Sequence, residues 1–91
     1  MARLARVEAL ETPHHVTQRG NARRLVFESD NDRMVYLALI QQHAKHRGVR
    51  VLGYCLMPNH VHLILWPTRA RGMAQCLRDA NGRYEIGRAH V

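Results

Sequence analysis

The order of elements legible in the chain, strand, helix, strand, strand, helix, predicts an α+β fold of ferredoxin-like type: β-α-β-β-α with the final strand missing, an antiparallel sheet carrying two helices on one face. Three observations carry this expectation. An alternating apolar stretch in the middle of the chain is interrupted by a Pro-Asn turn, which reads as a hairpin. Segments with helical apolar spacing lie on either side of it. The length, 91 residues, supports one domain that buries only about 60 to 65% of its unfolded surface, so a few elements must share one small core.

"HHVTQRGN" (His14 to Asn21) alternates, contains β-branched residues and runs into a Gly-Asn turn, as a first strand would. In "ESDNDRMVYLALIQQHAKHRG", Ser29 and Asp30 are N-cap candidates, Met34, Leu37, Ile40 and Ala44 recur at helical spacing, and Gly48 is placed to end the helix. "VRVLGYCLM" (Val49 to Met57) returns as a strand, Pro58-Asn59 makes the turn, and "HVHLILWP" runs until Pro67 stops it. In "GMAQCLRDANGRY", Met73, Leu77, Ala80 and Tyr84 form one helical stripe. Repeats, Ser/Pro-rich linkers and low-complexity blocks are absent.

The chain carries 14 Lys plus Arg against 7 Asp plus Glu, a net charge of +7. All but one of those cations are arginine, whose planar fork matches phosphate oxygens, so nucleic acid is the first partner to expect. Cys55 and Cys76 lie in apolar surroundings without metal-binding or redox spacing and read as reduced core residues of a cytoplasmic protein. The longest apolar run, Val61 to Trp66, is far too short to span a bilayer, which excludes a membrane partner from the expectation.

The chemistry concentrates in "CLMPNHVHLIL". Residues two apart on a strand share a face, so His60 and His62 project together while Val61, Leu63 and Leu65 face the other way. Two imidazoles on a rigid strand suit one divalent metal, with further ligands from elsewhere; the ordinary alternative is a pair of solvated or hydrogen-bonded histidines. Tyr84 lies on the stripe that must face the sheet. It reads either as a core tyrosine or as a nucleophile aimed at a metal-bound phosphate, since a phenol needs nearby positive charge to attack at neutral pH.

"PHHVTQRGN", "YCLMPNHVHLIL" and the helix ending in Arg83-Tyr84 together resemble the HUH single-tyrosine transposases of bacterial insertion sequences, and more closely their domesticated relatives, the REP-associated tyrosine transposases. The resemblance implies that His60 and His62 are metal ligands for Mg²⁺ or Mn²⁺ and that Tyr84 is the nucleophile. It also implies cleavage and rejoining of single-stranded, hairpin-forming DNA through a 5′-phosphotyrosine, without a nucleotide cofactor, by a protein that could act as a homodimer. Arg19, Arg23 and Arg24, beside the first strand, are the candidate phosphate contacts, or else a solvated loop.

The C-terminal end departs from that pattern. Family members bring in an Asn or Gln about one turn after the tyrosine as a further ligand, where this chain has Arg88, and a further strand is expected after the helix. The closing "IGRAHV" coincides with one reading frame of a common sequencing adapter, so residues 1–84 are expected to be an incomplete HUH domain and residues 85–91 a non-native tail. On that reading the fragment is inactive; the alternative is a binding-only nucleic-acid module without catalysis, or a chain that misfolds. Two rivals are weaker. An RNA-recognition module would need stacking aromatics that "HVHLIL" lacks. A zinc site on His43 and His46 has no cysteine ligand nearby.

Overall fold

The computed structural model describes residues 8–20 and 27–89, the side chains of 86–89 excepted. Five elements follow in order: β1 (His14–Arg19), α1 (Asp30–Arg47), β2 (Val49–Met57), β3 (His60–Pro67) and α2 (Gly72–Ala89). The strands form one antiparallel sheet in the order β1-β3-β2, which is the expected α+β, ferredoxin-like arrangement of three strands and two helices.

β3 is central because its alternation is the cleanest in the chain. Val61, Leu63, Leu65 and Pro67 are buried, and His60, His62, Ile64 and Trp66 between them are only half-buried. The buried set meets Tyr36, Ile40 and Ala44 of α1 and Met73, Cys76, Leu77, Ala80 and Tyr84 of α2, so both helices cover the same side of the sheet. The opposite side carries the histidines and has no helix over it among the described residues.

α1 begins and ends as its sequence requires. Ser29 is the N-cap, its hydroxyl accepting the amide hydrogen of Asp32 at 3.2 Å, and the Asp32 carboxylate reaches back to the Glu28 amide at 2.8 Å. Gly48 closes the helix in the left-handed region at φ 71°, where a Cβ would stand 2.8 Å from Arg69 and Thr68 side-chain atoms. The buried stripe of α1 is Tyr36, Ile40 and Ala44; Met34, expected on it, is 69% exposed. Helical phase explains the correction: Tyr36, Ile40 and Ala44 repeat every four residues, whereas Met34 lies two positions before Tyr36 and points away.

α2 has no acidic residue in its first turn, and Glu8 supplies one from a distance, its two carboxylate oxygens accepting the amides of Met73 and Ala74 at 3.0 Å each. Arg47 at the end of α1 donates to Asp79 at 2.8 Å and to Gln75 at 3.4 Å, clamping the two helices. A polar chain crosses the core: Tyr36 Oη donates to Asn81 Oδ1 at 2.8 Å, and Asn81 Nδ2 donates to the buried Gln18 at 2.7 Å. It holds Asn81-Gly82, a pair that would suit a turn, inside α2.

β1 ends at Arg19, before the Gly20-Asn21 pair expected to turn, of which Asn21 lies outside the described residues. One smaller expectation is corrected. Cys55 is exposed, because β2 is an edge strand and Cys55 stands on the helix-free side, level with His62.

Candidate metal and DNA site on the open sheet face

Antiparallel pairing puts residues opposite one another on the same face, so the register names the neighbours of each histidine. Thr17 and Cys55 flank His62, and Arg19 and Met57 flank His60. His60 and His62 stand side by side as the pleat demands, with ring centroids 5.2 Å apart. β3 is paired on both edges, so the strand bearing them is held from both sides.

Each imidazole has one nitrogen already engaged. His60 Nδ1 lies 3.1 Å from Asn59 Oδ1, the residue that makes the β2–β3 turn. His62 Nδ1 lies 3.0 Å from His15 Nε2 and 3.4 Å from Thr17 Oγ1, both on β1. A neutral imidazole has one N–H and one lone pair; with both Nδ1 atoms engaged, both Nε2 atoms are the ones left to ligate a cation. That donor chemistry fits a divalent metal.

The pair alone does not complete a metal shell. Among the described residues no group of three or more His, Cys, Asp and Glu side chains is arranged to hold an ion. The three strands contain no acidic residue, so the sheet offers imidazole nitrogen and no compensating negative charge. Phosphate oxygens are ligands of the kind that would supply both further donors and negative charge.

The structure does not bring Tyr84 to this pair, a correction to the expected active site. Tyr84 is 3% exposed and lies on the helix-covered side, its ring 5.3 Å from Tyr36 and 5.8 Å from Phe27. The helical stripe does face the sheet, as its spacing requires, but it faces the side opposite to His60 and His62. Of the two other tyrosines, Tyr36 is fully buried in the same cluster, where burial first and the nearby Cys76 and Tyr84 next push its phenol far above the ordinary value. Tyr54 pairs with Leu63 and therefore belongs to the helix side, at the sheet margin. No tyrosine in the sequence lies on the histidine face.

Arg19 is exposed and directly opposite His60, on the same face of the sheet. Arg23 and Arg24 lie outside the described residues. Asn59, His15 and Thr17 are the neighbours that residue-by-residue reading missed. Asn59 was legible only as a turn former, and the other two become neighbours of His62 only through the β1–β3 register.

No helix of the described residues is long and apolar enough to cross a membrane. No curated protein and no solved structure matches the chain. The family model described as "Transposase IS200 like" does match, over residues 10–86, a span that takes in every strand, the histidine pair and most of α2. The chain therefore belongs to the IS200-like transposases, a family of enzymes that cleave and rejoin DNA.

Proposed function

We infer that the chain is the metal- and DNA-binding domain of an HUH-type transposase, closest in kind to the REP-associated tyrosine transposases, acting on single-stranded DNA that folds into hairpins. The observation that carries this reading is the shared placement of His60 and His62 on a face with no helix over it among the described residues, each with Nδ1 engaged and Nε2 left to ligate. Mg²⁺ or Mn²⁺ bound there would supply Lewis-acid polarisation of a phosphoryl oxygen. His60 and His62 hold the ion, and Arg19 contributes a phosphate contact beside it. The absence of carboxylates from the strands makes the cation depend on DNA for its remaining ligands, so metal and DNA should bind with positive coupling.

Covalent cleavage through a 5′-phosphotyrosine needs a phenol on the histidine face, and the folded arrangement of this chain provides none. On this reading the chain binds DNA without cleaving it for as long as Tyr84 stays in the core. Fluorescence anisotropy of a labelled DNA hairpin, with and without Mn²⁺, tests the binding; His60→Ala and His62→Ala should each remove the Mn²⁺-dependent gain. A denaturing gel tests the chemistry. Incubation with end-labelled hairpin and Mn²⁺ should give no protein–DNA adduct, and an adduct that Tyr84→Phe abolishes would show that α2 leaves the core to deliver Tyr84.

A further inference from the structure

We propose that His15 is the positioning residue for His62, fixing its tautomer so that Nε2 carries the lone pair that meets the cation. This inference rests on the metal reading above and adds to it a residue outside the HxH pair.

When Nε2 of a neutral imidazole binds a metal, the proton resides on Nδ1 and needs an acceptor; without one, the ring can turn or hold its proton on Nε2, and the ligand is lost. His15 Nε2 lies 3.0 Å from His62 Nδ1, a hydrogen-bond distance, and the two rings meet edge to edge, with centroids 5.2 Å apart and planes 27° from parallel, the near-coplanar arrangement that an in-plane Nδ1–H···Nε2 bond requires. In the required arrangement His62 donates its Nδ1–H to the Nε2 lone pair of His15, and His15 holds its own proton on Nδ1. Thr17 Oγ1, at 3.4 Å, is the poorer acceptor by distance. The contact also restricts rotation of the ring, because the hydrogen bond lies near the plane of both rings and turning either one breaks it.

The register gives the contact its origin. Thr17 is the residue directly opposite His62, and His15 is one step along the same face, the diagonal position from which a long side chain can reach across. His15 is therefore not a third ligand: its Nε2 is occupied by His62. His60 has a corresponding support in Asn59, from within its own turn.

The test is a long-range ¹H–¹⁵N correlation spectrum of the histidine-labelled full chain without metal, at a pH where the rings are neutral. His62 should appear as the Nδ1–H tautomer. In His15→Ala it should move toward the Nε2–H form, and in His15→Gln, whose amide oxygen can accept the same bond, it should return. Mn²⁺ titration followed by electron paramagnetic resonance should show affinity reduced about 10- to 100-fold in His15→Ala and largely recovered in His15→Gln. A wild-type His62 that carries its proton on Nε2 overturns the proposal even if the variants do not fold, as does a His15→Ala chain with unchanged tautomer and Mn²⁺ affinity. Loss in His15→Ala that His15→Gln does not recover would make His15 a ligand instead. If His62→Ala binds Mn²⁺ as tightly as wild type, the metal reading itself fails, a result distinct from failure at His15 alone.

Discussion

At Tyr84 the ring forms one corner of an aromatic cluster with Phe27 and Tyr36, meeting Tyr36 edge to face. Tyr84→Ala should therefore destabilise the chain by about 3 to 5 kcal/mol, the range for deleting a buried aromatic side chain, read as a lower denaturant midpoint at unchanged slope. The two cysteines offer a second comparison. Burial, with the nearby Asp79 adding and Arg47 opposing, pushes the Cys76 thiol up to about 12, whereas Cys55 is exposed on the histidine face. Iodoacetamide at neutral pH should label Cys55 and leave Cys76 unmodified, since the thiolate is the nucleophile. Mass spectrometry of the native chain would show one adduct, and a second appearing at a comparable rate would mean that the core opens readily.

Two glycines should respond with opposite signs at the level of the helices. Gly82 lies in the interior of α2, and a Cβ there would meet nothing within 4 Å. Gly82→Ala should stabilise by about 0.5 to 1 kcal/mol by removing backbone freedom from the unfolded chain. Gly48 closes α1 at positive φ against Thr68 and Arg69, so Gly48→Ala adds both strain and overlap and should destabilise by about 1 kcal/mol or more. Thermal or denaturant unfolding of the pair measures both. Effects of the same sign would show that the local geometry at each glycine does not control the outcome.

Across the whole molecule, the Arg47–Asp79 ion pair joins the end of α1 to the middle of α2 at 2.8 Å, with both side chains about one-third exposed. The Arg47 hydrogen bond, set against a small opposing effect of burial, holds the Asp79 carboxyl below its usual value. A carboxyl depressed in the folded state contributes stability that is present above its unfolded value, about 3.9, and is lost as pH falls through the folded value. Wild type should lose stability as pH drops below about 4, and Asp79→Asn should show a shallower acid slope in that window while starting from lower stability at neutral pH. Solvent screening at this exposure keeps the effect small, so urea midpoints at several pH values are the suitable measurement. An equal slope in the variant would remove Asp79 as a source of the acid response.

Much of this protein follows from local periodicity. Alternation along "HVHLILWP" determined which side of β3 is buried and that His60 and His62 share the other side, because a strand repeats every two residues whatever surrounds it. Ser29 and Gly48 determined the ends of α1 through capping chemistry, and Met73, Leu77, Ala80 and Tyr84 determined the buried stripe of α2. Only the tertiary structure decided which side of the sheet that stripe covers. A helical stripe says that Tyr84 faces a sheet, but the two faces of a sheet differ only once the helices have chosen one, and both chose the face bearing Leu63 and Leu65. The Leu52 bulge between Val51 and Gly53, the exposure of Cys55 on an edge strand and the reach of His15 to His62 arise from pairings between segments far apart in the chain. No single segment carries that information, because strand register is set by the energy of the whole sheet and its cover.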